Sequence, residues 1–277
     1  MAMADTWRGY PVYDDATPGY VHSPAKFGRG AVERDYAVQP AEAGADPDDM
    51  DLIPESDYDA YIDMQEETES SLEHLYLRAG WEHLDQGQVG YCWAHSTAHA
   101  IQIELTKAGA YEPLSAYAVA ATIKRGADQG GWCGLSMQFV KDRGIPSQGM
   151  WPQGDRRYRH YDRPDVWEDA ARHRVTEDWV DYAKPAYDRT MVMGQHDTCL
   201  LNNIPLACDY MWWGHSVCAL RLVRIERGSY GTLILNSWKG WGRRGLGVIR
   251  GTRRNVDGCV GIRASRAAAP ASAALAV

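Results

Sequence analysis

Three residues suited to nucleophilic chemistry stand in this 277-residue chain in settings that such chemistry uses. Cys92 lies in the run Asp85-Gln86-Gly87-Gln88-Val89-Gly90-Tyr91-Cys92-Trp93-Ala94-His95-Ser96, where it opens a predicted helix. The unpaired amides and partial positive charge of a helix start favour a thiolate, the reactive form; a cysteine there is also an ordinary structural residue. His215 sits in Trp213-Gly214-His215-Ser216-Val217 at the head of a predicted strand, a place equally open to a packed histidine. Asn236 ends another strand in Asn236-Ser237-Trp238-Lys239-Gly240-Trp241-Gly242, where asparagine before a Gly-rich turn is common turn chemistry. A rival grouping reads His196-x-x-Cys199 and His215-x-x-Cys218, with Cys208 between, as zinc ligands. A regular strand would point His215 and Cys218 to opposite faces, so no metal is expected, and Cys199, Cys208, Cys218 and Cys259 read as small buried hydrophobes.

Positioning these residues requires helices first and strands second. Ala94, Ala98, Ile101 and Leu105 recur at helical spacing behind Cys92, so a helix is predicted over 92–108, stopped by Gly109. Further helices are predicted over 56–78 with Ser56 as cap, 115–125 and 135–143. Strands are predicted over 204–211, 216–225, 232–236 and 247–250, separated by Gly-rich turns. This order points to an α+β fold with two unlike lobes. The expected divisions are 1–55, an extended acidic arm; 56–78, an N-terminal helix; 79–175, a helical lobe carrying Cys92; 176–266, a β lobe carrying His215 and Asn236; and 267–277, a low-complexity tail.

The net charge of −8 is unevenly spread. Residues 41–73 carry 13 acids and no Lys or Arg, which leaves the remaining 24 acids against 29 basic residues, a net of +5. Such a segment can dock electrostatically on the body, as a cover over the site or as a permanent part of the helical lobe; a solvated linker and helix face is the plainer reading. Nothing in the charge pattern suggests nucleic acid, and no apolar run approaches the ~20 residues of a membrane span. The N-terminus lacks the pattern of a secretory signal, so a cytoplasmic location is expected; the Ala-, Gly- and Arg-rich usage suggests a GC-rich bacterial or phage genome and leaves a virion-associated protein open.

Taken in the order Cys, His, Asn, the three segments resemble the papain-like cysteine peptidases over about residues 80–255. Gln86, six residues before Cys92, matches the family's side-chain donor of the oxyanion hole. Cys92-Trp93-Ala94 with Ser96 matches its nucleophile helix, Gly130-Gly131 the glycine pair lining the cleft, Gly144-Ile145 and Trp151-Pro152 the segment beyond, and Asn236-Ser237-Trp238 with Trp241-Gly242 the Asn motif and its shielding tryptophans. The resemblance implies a two-lobed fold, a helical lobe followed by a trimmed antiparallel β-barrel-like lobe, with the site in the cleft between. It implies Cys92, His215, Asn236 and Gln86 as the catalytic set, acting through a thioester on a peptide or protein without a cofactor. Gly130, Gly131, Cys133, Trp213, Ser216 and Trp238 are the expected substrate contacts. The sequence departs from the family where Val89 and Asp128 replace a pair of bridged cysteines, where only nine residues separate Pro205 from His215, and where Tyr91 replaces a small residue. A papain-fold structural or binding component, and an acyl transferase with another acceptor, remain as alternatives.

Overall fold

The computed structural model describes residues 6–18, 27–35, 50–175, 177–181 and 189–263. The architecture is a mixed helix and sheet fold built on one central helix. That helix, α3 (Cys92–Lys107), is buried on every side from Cys92 to Leu105, because Ala, Ser and Thr keep its girth small enough to pack all round. Its near neighbours are α2 (Leu72–Ala79), α4 (Ala116–Ile123) and α5 (Cys133–Arg143) on the helical side, and the sheet on the other.

The sheet holds β1 (Thr6–Trp7), β2 (Tyr10–Tyr13), β3 (Glu177–Asp181), β4 (Leu206–Tyr210), β5 (His215–Glu226), β6 (Ser229–Leu235), β7 (Leu246–Arg250) and β8 (Gly258–Arg263), in the order β1-β2-β7-β6-β5-β4-β8-β3. The barrel-like lobe expected from the sequence is replaced by an open sheet: β1 and β3 stand at opposite ends of the order and do not pair. Nor is it wholly antiparallel, since β2 runs parallel to β7, with Val12 opposite Val248. Alternation along the strands divides two cores. Ala207, Cys218, Leu220, Leu233 and Val260 face α3, whereas Leu206, Cys208, Val217, Ala219 and Cys259 face α1 (Tyr58–Glu67) and α8 (Arg189–Leu201). Two shorter helices, α6 (Tyr158–Tyr161) and α7 (Pro164–Ala171), complete the helical side.

The single helix expected over 56–78 is two helices. Ser71 accepts from the His74 amide and caps α2, so the chain restarts after Glu67 instead of continuing. Ser56 does not cap α1; its hydroxyl meets the Asp57 carboxylate. Part of the expected extended arm is β1 and β2. These helices are tied to the sheet by charge. Buried Arg221 of β5 pairs with Glu73 of α2 at 2.8 Å and with Glu66 of α1 at 2.7 Å, and Arg224 pairs with Asp59 and Asp63. Glu73 also accepts the Tyr10 hydroxyl of β2 at 2.8 Å. Residues 41–49, the first part of the acidic stretch, and the tail 267–277 lie outside the described residues. Among the described residues no helix is long and apolar enough to cross a membrane.

Candidate active site

Cys92 is the first residue of α3, preceded by Tyr91 with no side-chain cap, so the amides of the first turn are left to whatever lies at the helix end. His215 is the first residue of β5, and Asn236 follows β6, the neighbouring strand. Their side chains meet: the His215 Nε2 edge is 2.8 Å from Asn236 Oδ1. Trp238 stacks on the imidazole with centroids 4.1 Å apart, and Trp213 meets it edge-on at 5.0 Å. The His–Asn contact is therefore sealed from water, which fixes the ring and leaves its other nitrogen, Nδ1, buried and without a hydrogen-bond partner. Ser216, next along β5, faces the Cys92 thiol with its amide and hydroxyl. The sheet thus brings Ser216, the residue after His215, against the thiol, while His215 Nδ1 and the thiol share no hydrogen bond in this state.

Gln86 is buried, and its amide is engaged. Nε2 donates to the carbonyls of Gly28 at 2.9 Å and Val89 at 2.8 Å, and Oε1 accepts the Ser237 hydroxyl at 2.5 Å. The Gly28 carbonyl also accepts from Trp238 Nε1 at 3.0 Å. It belongs to a segment, Phe27–Val32, that crosses the site. Gly28 N–H donates to Gly87 O, Ala31 N–H to Gly214 O, Gly131 N–H to Gly30 O, and Val32 N–H to Gly131 O. Ala31 forms a parallel bridge with Gly131. The glycines are needed for this approach: a Cβ on Gly28 would sit 2.2 Å from Val89 O, and one on Gly30 would sit 2.1 Å from Gly90 O. Phe27 stacks on Trp238 at 4.8 Å, and Arg29 lies over the same indole.

The cover sets the electrostatics. Cys92 is wholly buried, and burial pushes its thiol up to about 11 despite the Ser216 and Gly30 donors. Burial likewise holds His215 down at about 3, against the Asn236 hydrogen bond. Both are neutral in this covered state, since each charged form would lie out of water.

The structure brings the other expected contacts to the same place. Gly131 packs on the Trp93 ring and pairs with the segment; Gly130 lies against Gly30 and Val32. Cys133 opens α5, and its amide donates to Asp209 at 2.9 Å. Where the bridging cysteines would stand, Asp128 accepts the Gly90 amide at 2.7 Å and the Tyr91 hydroxyl donates to Ala127 O at 2.7 Å, so hydrogen bonds join the two loops. The zinc grouping is divided: His215 faces Asn236 and Cys218 faces α3, whereas Cys208 lies in the other core, where it meets His196 and stands 3.6 Å from the Cys259 sulfur. Two elements escaped sequence reasoning, the glycine-rich cover and Asp209. The run Phe27-Gly28-Arg29-Gly30-Ala31, small enough to lie in a cleft, was the available signal for the first.

No family model matches the sequence, and no curated protein matches it. Solved structures do. The chain is similar to xylellain, a cysteine protease from Xylella fastidiosa, with a TM-score of 0.56 and 18% identity over 89% of this chain and 100% of that one. The fold is that of papain-like cysteine proteases. The Amb a 11 cysteine protease of ragweed pollen in its proform gives 0.56 at 13% identity, covering 86% of this chain and 76% of its own. A digestive procathepsin L 3 of Tenebrio molitor larval midgut gives 0.50 at 21% identity, covering 66% of each chain.

Proposed function

We propose that this chain is a cysteine-type endopeptidase with Cys92 as nucleophile, His215 as base and acid, Asn236 as the residue that orients the imidazole, and Gln86 as an oxyanion donor. The observation that carries this reading is the buried His215–Asn236 contact under Trp238, beside a cysteine at a helix start, in a papain-like fold. With Nε2 committed to Asn236, only Nδ1 is left to take the thiol proton. The thiolate then attacks a peptide carbonyl, and the charge developing on its oxygen meets the Gln86 amide, where the Gly28 carbonyl now lies. The imidazolium returns the proton to the departing amine as the C–N bond breaks, and the acyl group stays on sulfur as a thioester. Water, deprotonated by the same nitrogen, releases the acid and restores the thiol. No metal or cofactor takes part in this reading.

Gly130 and Gly131 would hold the substrate main chain, and Cys133, Trp213, Ser216 and Trp238 would line it. Residues 28–32 occupy that place in the covered state, so the form with Phe27–Val32 seated is inactive, and cleavage requires the segment to leave. Two of the similar structures are of precursor forms, which fits a chain that carries its own cover. The acidic helices α1 and α2, by contrast, act as a fixed part of the body, held by Arg221 and Arg224. A second reading, a papain-fold binding or structural component without turnover, draws on the complete burial of Cys92. Peptide-library cleavage by the full chain and by a form with the segment displaced, each with a Cys92→Ala control, separates the two. Cleavage lost in the Cys92→Ala protein supports the peptidase, and no cleavage by either form leaves the binding component.

A further inference from the structure

Asp209 is a charged residue with no evident structural counter-ion beside the candidate nucleophile. It lies on β4, directly opposite Ser216 of β5 and Gly258 of β8, with its side chain on the sheet face that meets α3 and α5. It is 2% exposed. One oxygen accepts the Cys133 amide at 2.9 Å, the other accepts the Ser216 hydroxyl, and the Cys133 thiol donates to the same carboxylate. Ser216 in turn faces the Cys92 thiol, and the charge of Asp209 is felt there. No ion pair joins Asp209 among the described residues. Burial and the nearby Asp257 hold its carboxyl up at about 6, as expected for an acid with neutral donors only.

The setting is open in one respect. Gly258 contributes no side chain: a Cβ there would come 2.8 Å from Asp209 Oδ2, so any larger residue would crowd the acid. Among the described residues the covering segment brings Gly30, Ala31 and Val32 to the adjoining Gly131, and its cation, Arg29, lies over Trp238. The acid thus rests on the neutral donors of Cys133 and Ser216, and among the described residues the cover brings it no cation. A carboxylate can accept about four hydrogen bonds, and a guanidinium or ammonium arriving from the cleft would supply both charge and donors.

Resting on the peptidase reading above, we propose that Asp209 is a specificity-determining residue, which makes the side-chain subsite between Cys133, Ser216 and Gly258 select lysine or arginine in the substrate residue whose main chain lies along Gly131. The rival role is structural, with Asp209 merely tying the start of α5 to β5. That role would affect stability and all substrates alike, whereas a specificity role changes the ratio between side chains.

The test is the rate at which tripeptidyl epoxides label Cys92, with Arg or Leu placed in turn at each position. The ratio within one protein is independent of folding yield and of how often the cover opens. We expect Arg to exceed Leu by about 10-fold at a single position in the wild type, and the ratio to fall to about 2-fold or less in both Asp209→Asn and Asp209→Ser. A ratio unchanged by both substitutions, or a wild type that prefers Leu at every position, overturns the assignment while leaving the nucleophile intact. If no epoxide labels Cys92 even with the cover displaced by Gly30→Val, the peptidase reading fails and the specificity role fails with it.

Discussion

The cover over Cys92 can be lifted by one methine-bearing side chain. In Gly30→Val the new Cβ would stand 2.1 Å from Gly90 O and 2.8 Å from Gly90 Cα, both main-chain atoms that cannot swing aside. The segment must therefore leave, and with it go the hydrogen bonds from Gly131 N–H to Gly30 O, from Ala31 N–H to Gly214 O and from Val32 N–H to Gly131 O. At about 1 kcal/mol each, net of water, these sum to about 3 kcal/mol, or roughly a hundredfold in the open-to-covered ratio. Opening also returns water to a thiol that burial holds at about 11, so the thiolate fraction at neutral pH rises in the same direction. The assay is the rate of iodoacetamide labelling of Cys92 at pH 7, read by peptide mapping, with the five other cysteines, all buried, as internal references. Gly149→Ala is the control, because its Cβ would meet nothing closer than Ser147 Oγ at 3.7 Å. We expect labelling of Cys92 to accelerate by about a hundredfold or more while β2 stays paired with β7. A Gly30→Val protein that folds and labels at the wild-type rate would refute the claim that this segment controls access.

Gln86→Ala should lower kcat by about 10²–10³ on any peptide that is cleaved, as for loss of one preorganised donor; unchanged turnover would remove Gln86 from the oxyanion site. Glu73→Ala strips a partner from buried Arg221 and should cost about 3–5 kcal/mol, lowering the thermal midpoint by about 10 °C if α2 is a fixed part of the body; a midpoint shift near zero would mean that this helix is dispensable. Because the folded-state pKa of Asp209 is raised to about 6, the native state holds its proton above the ordinary range, and the stability so gained at low pH is lost as pH rises through about 6. The Asp209→Asn protein should therefore lose less stability than the wild type in denaturation measured from pH 5 to pH 8, and parallel curves would contradict the burial argument.

Local pattern carried much of this molecule. The helix predicted over 92–108 is found at Cys92–Lys107, and the strands predicted over 204–211, 216–225, 232–236 and 247–250 are β4, β5, β6 and β7 with ends moved by a few residues. These segments have strong periodicity and glycine-marked ends. By contrast, β1 and β2 are two and four residues long. Strands that short have no period to read, and they exist because Val12 and Tyr13 find β7 more than two hundred residues away. The break between α1 and α2 follows from the local Ser71 cap, and only the fold shows that Glu66 and Glu73, on either side of it, both reach Arg221.

For the site, Cys92, His215 and Asn236 were each open to a plain structural reading in the sequence, and it was their order and their resemblance to the papain-like motifs that singled them out as candidates together with Gln86. What they do in this state was decided only by packing. Whether the thiol and imidazole are charged depends on water, and water is excluded by Gly28–Ala31, a segment some sixty residues upstream of Cys92 whose glycines announce no partner. Asp209 was equally silent in the sequence, one acid among 37. Its distinction is to be buried opposite Ser216 and Gly258 beside the nucleophile, and burial and neighbourhood are properties of the folded chain, since strand pairing brings together residues with no local signal of one another.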